Sequence, residues 1–167
     1  GRSLRRHFID PRHVATAAYC AAQENQPKII RLLHEVRADL DKPNTVDGGA
    51  PAYIAADAGH SAMVQLLYDL GADVHRARND GGRPIHSASR NGRNEIVLLL
   101  LSLRAHVDSR MHDGSTPCWD AASRGHAEVI RLLIMHRASF DLHNKDQITP
   151  LWIAAQEDPH AQGGQGP

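Results

Sequence analysis

The sequence predicts an all-α solenoid in which helix-turn-helix repeats are joined by hairpin loops. The main observation is a fixed spacing of residue types along the 167 residues. Prolines stand at positions 51, 84, 117 and 150, and aspartates at positions 47, 80, 113 and 146, so both return every 33 residues. Paired leucines keep the same spacing at positions 66–67, 99–100 and 132–133. A period of this length indicates a stack of small helical units rather than one globule.

The period divides the chain into four repeats and a half repeat, which together span residues 13–158. The first copy is one residue longer than the others, and the extra residue is assigned to the Pro-containing loop from Lys42 to Val46. Residues 1–12 are expected to form an N-terminal segment, a remnant of a preceding repeat, and residues 159–167 a flexible tail rich in Gly and Gln. The predicted boundaries are 13–46, 47–79, 80–112, 113–145 and, for the half repeat, 146–158.

Each repeat contains, in order, the signals for two helices. Thr116 precedes Pro117, which places a capping hydroxyl before a proline at the first helical position. Paired alanines allow neighbouring helices to pack closely, and a glycine such as Gly125 suits the tight turn to the second helix. The second helix has an apolar stripe, which in the second repeat comprises Met63, Val64, Leu66, Leu67 and Leu70. One repeat cannot cover this stripe alone, so each repeat must pack against the next.

Two equivalent positions of the repeats depart from this pattern. Ala50 and Arg83 occupy the position of the capping threonine, and each is expected to cost about 1 kcal/mol of local stability. The residue that ends the second helix is glycine in the second repeat but arginine in the three others, Arg37, Arg104 and Arg137. An L-residue is strained in the left-handed conformation that often ends a helix. We therefore expect these three helix ends to be looser or closed in a different way.

The repeated segments resemble the ankyrin repeat family, whose repeats run through Thr-Pro-Leu-His, Gly-His and Gly-Ala-Asp-Val. The corresponding segments here include Thr116–Trp119, Gly59-His60, Gly125-His126 and Gly71–Val74. This resemblance implies a non-catalytic scaffold that binds a partner protein or peptide along a concave face. It leaves open a second function, a targeting or adaptor module of a larger enzyme, channel or ubiquitin-ligase component whose activity lies outside this chain.

In such arrays the exposed side of each first helix and the hairpin tips line the concave face. Between positions 75 and 95 the sequence has five arginines against one aspartate and one glutamate, so the middle of the chain is basic. We expect it to bind an acidic partner segment, because guanidinium groups pair with carboxylates; a solvated face without a partner is the alternative. The predicted partner surface comprises Ile54, Asp57, Arg76, Arg78, Gly82, Ser87, Arg90, Asn91, Met111, Ser115, Asp120, Ser123, Arg124, Ile148 and Gln156.

The resemblance also implies a modification site in the hairpins. Asparaginyl hydroxylase of the oxygen-sensing pathway modifies ankyrin repeats at the residue after the Asp-Val pair, and it accepts Asn and sometimes Asp or His. That position holds His75, Asp108 and Asp141, which are therefore candidate hydroxylation sites.

Composition argues against several other classes of function. The 19 Lys and Arg balance 19 Asp and Glu, which disfavours nucleic acid as a partner. The longest strongly apolar run, Ile96 to Leu101, is far shorter than the ~20 residues of a membrane-spanning helix. The 12 histidines and two cysteines lack metal-site spacing, and the sequence contains no nucleophile-elbow, phosphate-loop or His-Glu-x-x-His motif. We expect no enzyme activity, no metal and no cofactor, and a location in the cytoplasm or, alternatively, the nucleus.

The fifth copy stops after its first helix. Asp158-Pro159 replaces the Gly-His turn, and residues rich in Gly and Gln follow. The half repeat would then expose part of the surface that carries Leu151 and Trp152. We expect either that the chain is a fragment of a longer array or that this uncapped end associates with something else.

Overall fold

The computed structural model of the protein describes residues 16–156, so the predicted N-terminal segment, 1–12, and tail, 159–167, lie outside the described residues. Within residues 16–156 the chain forms nine α-helices and no β-strand. The helices are α1 (Ala17–Gln23), α2 (Pro27–Glu35), α3 (Pro51–Ala58), α4 (Ser61–Asp69), α5 (Pro84–Arg90), α6 (Asn94–Ser102), α7 (Pro117–Ala122), α8 (Ala127–Met135) and α9 (Pro150–Gln156).

The helices pack in two rows. The first helices α1, α3, α5, α7 and α9 contact one another in succession, the second helices α2, α4, α6 and α8 do the same, and the two helices of each complete repeat also pack together. The core between the rows comes from the apolar stripes and paired alanines, and its largest fully buried side chains include Ile30, Met63, Leu67, Ile96, Leu100 and Leu133. The predicted all-α stack of repeats is confirmed.

The first helices begin in three ways. Thr16 and Thr116 cap α1 and α7, since each hydroxyl accepts a hydrogen bond from the backbone N–H three residues on, at 3.0 and 3.2 Å. Ala50 supplies no side-chain cap to α3. Arg83 also supplies none, but Nδ1 of His86 accepts the Arg83 backbone N–H at 3.1 Å. His86 thus replaces part of the missing cap of α5.

The turns between the two helices of a repeat have the predicted backbone. Gly59, Gly92 and Gly125 have φ of 86°, 64° and 69°, in the left-handed region that glycine adopts most easily. Because an added side chain at Gly92 would also meet the His126 ring at 2.8 Å, this position needs glycine for space as well.

The expectation for the helix-ending arginines was wrong. Arg37, Arg104 and Arg137 have φ of 58°, 69° and 65°, so they keep the left-handed closure that glycine makes in the second repeat at φ 85°. The closing hydrogen bond is also unchanged: the N–H of Ala105 donates to the Leu100 carbonyl at 2.8 Å. The closure persists because this hydrogen bond and the packing of the following alanine outweigh the local strain.

The hairpins between repeats form a continuous main-chain ladder. Inside each hairpin a backbone N–H donates across the loop, as from Arg78 to the Gly82 carbonyl at 2.8 Å. Between hairpins, Asn79, His112 and Lys145 donate to the carbonyls of the aspartates at positions 47, 80 and 113, at 2.9, 2.8 and 2.7 Å. The tips of neighbouring hairpins are therefore fixed side by side along the stack.

Candidate partner-binding surface

Polar side chains of the predicted partner surface connect α3 with α5. Oδ1 of Asp57 accepts hydrogen bonds from the Ser87 hydroxyl at 2.6 Å and from the Asn91 amide at 3.0 Å. Asn91 also donates to the Ser87 carbonyl at 3.0 Å and is exposed. Asp57 is therefore held by the next repeat, and Asn91 offers its remaining polar capacity to solvent or a partner.

An ion pair between a half-buried arginine and a buried aspartate connects α5 with α7. The Nε and Nη2 groups of Arg90 donate to Oδ1 of Asp120 at 3.0 and 2.6 Å. Arg90 also contacts the Met111 sulfur at 3.6 Å. Asp120 is fully buried, and its Oδ2 has no hydrogen-bond partner among the described residues. Burial raises the pKa of Asp120 to about 6, against the opposing effect of Arg90.

A second arginine of the predicted partner surface is also held within the array. Arg78 pairs with Asp47 at 3.2 Å and with Asp80 at 2.8 Å. Its guanidinium lies over the Tyr53 ring, 4.8 Å from the centroid, and donates to the Tyr53 hydroxyl at 3.2 Å. Arg78 therefore joins two neighbouring hairpins to α3, and its charge is largely compensated inside the chain.

Several predicted contact residues are not available at the surface. Ser87, Ser115 and Asp120 have exposed fractions of 1, 0 and 0%, and Gly82 is buried beneath the hairpin. The prediction that these four residues contact a partner directly was wrong, because the array itself buries them. The remaining members are exposed or half-buried: Ile54, Asp57, Arg76, Arg78, Arg90, Asn91, Met111, Ser123, Arg124, Ile148 and Gln156.

Two arginines of the predicted partner surface form no salt bridge within the described residues. Arg76 and Arg124 are exposed, and neither forms a salt bridge within the described part of the chain. They belong to the second and fourth repeats, and Arg124 follows Asp120 by four residues. These two side chains therefore carry the positive charge of the surface that no salt bridge pairs, although the charge of Arg76 also acts on Asp41, where it lowers the pKa.

The candidate hydroxylation sites have different surroundings. A ring nitrogen of His75, Nε2, lies 2.9 Å from the Leu103 carbonyl, and Oδ1 of Asp108 accepts the Ser139 backbone N–H at 2.9 Å. Asp141 is exposed. His75 and Asp108 are thus each bonded to the following repeat, and Asp141 is the most accessible of the three.

The histidines predicted to belong to the repeat framework have backbone partners. Nε2 of His60 lies 3.1 Å from the Gln23 carbonyl, and Nε2 of His126 lies 2.9 Å from the Arg90 carbonyl. Burial lowers the pKa of His86 to about 4, so its ring is neutral and Nε2–H donates to the Ser109 carbonyl at 3.0 Å. Among the described residues no three His, Cys, Asp or Glu side chains cluster in a way that could hold a metal ion.

Comparison with known proteins identifies the family. A family model described as ankyrin repeats (3 copies) matches residues 17–111 and 85–162. The chain belongs to the ankyrin repeat family. Ankyrin repeats are in general modules for protein–protein interaction. No curated protein matches the chain significantly. Within residues 16–156, no helix is both long enough and apolar enough to span a membrane.

Sequence reasoning missed the pairing between first helices, although the sequence contains a signal for it. Ser87 and Asp57 are 30 positions apart, and so are Arg90 and Asp120. A side chain near the end of one first helix contacts the next first helix one turn before the equivalent position. The two residues are therefore separated by 30 positions, which is the period of 33 minus the three residues of that turn. Complementary residues 30 positions apart therefore predict contacts between repeats.

Proposed function

We propose that the protein is a non-catalytic scaffold that binds a partner protein or peptide through the predicted partner surface. The main support is that Arg76 and Arg124 are exposed and form no ion pair in the described structure. The other two arginines of this surface, Arg78 and Arg90, are paired with aspartates of the chain. Exposed guanidinium groups pair bidentately with carboxylates, so these two side chains suit an acidic segment. The hydrogen-bonded hairpins preform this surface, which lowers the ordering cost of association.

The test is affinity capture with mass spectrometry on wild type and Arg76→Glu/Arg124→Glu. Arg90 is left intact, because its replacement would leave the buried Asp120 without its counter-ion and disturb folding. The control is Arg31→Glu/Arg131→Glu, which reverses two exposed charges on the second helices α2 and α8, of which Arg131 pairs with Glu128 at the surface. A partner lost by the first variant and kept by the control supports the proposal. Equal capture by all three proteins contradicts it.

We further propose that the protein acts in the cytoplasm, with the nucleus as the alternative. Cys20 and Cys118 are both free thiols, which suits a reducing compartment. Microscopy of the fluorescently tagged chain distinguishes the two compartments, and recovery of the protein from the medium would contradict both.

We also propose that two copies of the chain associate through the end of the stack formed by α7, α8 and α9. An apolar cavity of about 280 Å³ lies between α7, α8 and α9, and no charged or polar side chain lines it. Its lining residues include Ile130, Ile134, Phe140 and Leu151. An amphipathic second helix fits such a cavity, because α4, α6 and α8 each cover the same side of the repeat before them.

A further inference from the structure

A groove lies between the second helices α4 and α6, which pack against each other in the middle of the array. Its volume is about 490 Å³, and its lining residues include Ala62, Gln65, Glu95, Leu98 and Leu99. Every lining residue belongs to α4 or α6, so the groove opens on the side of these helices that faces away from the first helices. We call it the outer groove.

An exposed leucine in the outer groove is particular to the third repeat. Leu98 is 42% exposed. The equivalent positions of the first, second and fourth repeats hold Arg31, Gln65 and Arg131. Both arginines are exposed, so the repeat framework places a polar side chain at this position and does not require an apolar one. The packing of the repeats therefore does not explain Leu98.

The apolar surface extends one turn further along both helices. Tyr68 follows Gln65 by three residues, and Leu101 follows Leu98 by three, so each lies on the same side of its helix as the residue before it. Tyr68 is 45% exposed and Leu101 is half-buried. Because α4 and α6 have nine residues each, the groove is about 13 Å long, which accommodates two turns of a partner helix.

The charged residues of α4 and α6 are all acidic. Asp69 and Glu95 are exposed, and neither helix contains a lysine or an arginine, whereas α2 and α8 each contain at least one. Asp69 accepts a hydrogen bond from the Gln65 amide at 2.7 Å. Neither carboxylate forms a salt bridge among the described residues. The outer groove thus combines apolar side chains with two carboxylates that no basic residue of the described chain pairs.

We propose that the outer groove binds an amphipathic, basic helix of a partner protein. The apolar side of such a helix would cover Leu98 and Tyr68, and its lysines or arginines would lie opposite Glu95 and Asp69. An anionic membrane surface does not fit, because the same carboxylates would repel it. The outer groove shares no residue with the predicted partner surface, so either proposal stands if the other fails.

The test is fluorescence anisotropy with a labelled amphipathic helical peptide of leucine and lysine, and with an analogue in which glutamate replaces every lysine. The decisive variant is Leu98→Arg, because arginine is already exposed at the equivalent position of the first and fourth repeats. Its control is Leu32→Arg, the same replacement at an exposed leucine of α2, outside the groove. Circular dichroism should show that both variants fold.

Wild type and Leu32→Arg should bind the lysine peptide with similar affinity. Leu98→Arg should bind it at least about tenfold more weakly, because an apolar contact is lost and a repelling charge is added. Glu95→Gln should weaken binding about threefold and reduce its dependence on salt. Arg76→Glu/Arg124→Glu should bind the peptide at least as tightly as wild type, which separates the outer groove from the predicted partner surface.

Several results would overturn the proposal. They are no binding of the lysine peptide, equal binding of the glutamate analogue, and an equal loss of affinity in Leu32→Arg and Leu98→Arg. Binding to vesicles of anionic lipid without binding to the lysine peptide would also overturn it, since it would identify a membrane surface as the partner.

Discussion

At the scale of single residues, Asp120 combines full burial with an ion pair that satisfies only one of its oxygens. Its partner Arg90 comes from the preceding repeat, so a single carboxylate holds two repeats together. Whether Arg90 turns toward a partner or toward Asp120 depends on the register between α5 and α7. That register follows from packing between repeats, and its trace in the sequence is the 30-residue spacing of Arg90 and Asp120, so residue types alone did not separate the free from the compensated arginines.

The pKa of Asp120 predicts an unusual pH dependence of stability. Because folding raises this pKa from 3.8 to about 6, the contribution of Asp120 to stability is present below pH 4 and is lost as the pH rises through 6. Buried His86 acts in the opposite direction, since folding lowers its pKa from 6.5 to about 4 and its contribution is lost on acidification. The Asp120 contribution must therefore be measured as a difference between variants.

We expect the free energy of unfolding of wild type, relative to Asp120→Asn, to increase by about 1 kcal/mol between pH 7 and pH 5. Urea unfolding of both proteins at the two pH values measures it. A difference that is the same at both pH values, or that falls on acidification, would show that Asp120 is not destabilised by its burial.

The helix-ending arginines give a second prediction for single residues. Arg137→Gly should raise the free energy of unfolding by roughly 0.5–1 kcal/mol, because it removes left-handed strain at the cost of some chain entropy. The reverse change, Gly71→Arg, should lower it by a similar amount: an added Cβ there meets no atom within 4 Å, so strain alone acts. Thermal unfolding measures both, and a loss of stability in Arg137→Gly contradicts the explanation.

At the scale of secondary-structure elements, the 33-residue period predicted where the first helices begin and where the turns lie. Each first helix from α3 onward begins at the proline of the 33-residue column, and the left-handed glycines lie at the predicted turns. The extra residue of the first copy also lies in the hairpin loop, since Asn44 donates to Gly49 where Arg78 donates to Gly82. These features follow from local backbone preferences, which sequence reports directly. The left-handed helix ends at Arg37, Arg104 and Arg137 do not follow from local preference, because tertiary packing determines their backbone conformation.

The missing cap of α3 gives a prediction at this scale. Ala50→Thr should add the hydrogen bond that Thr116 makes to the backbone of Trp119, and should raise the free energy of unfolding by about 1 kcal/mol. Thr116→Ala should lower it by about the same amount. Urea unfolding of the two variants measures both changes. Unchanged stability in Ala50→Thr would mean that the backbone before α3 already has its hydrogen bonds satisfied by other groups.

At the scale of the whole molecule, both ends of the described stack present the kind of surface that repeats bury between them. Ile29, Leu32 and Val36 of α2 are 39, 54 and 74% exposed, whereas Met63 and Leu66, at the positions of the first two on α4, are 1 and 7% exposed. At the other end, Ile134 and Leu151 are 46 and 60% exposed. The apolar surfaces of the two ends could therefore pack on each other in a head-to-tail stack of copies.

Head-to-tail stacking predicts an average mass that increases with protein concentration. Leu151→Glu and Leu32→Glu should each reduce this increase, because each places a charge in one of the two end surfaces. Leu98→Glu is the matched control: Leu98 lies on α6 in the middle of the stack and is 42% exposed, so its replacement should leave association unchanged. Light scattering over a concentration series measures all four proteins. A wild type that stays monomeric at high concentration contradicts stacking, and an equal effect of Leu98→Glu would attribute the change to added charge and not to the ends.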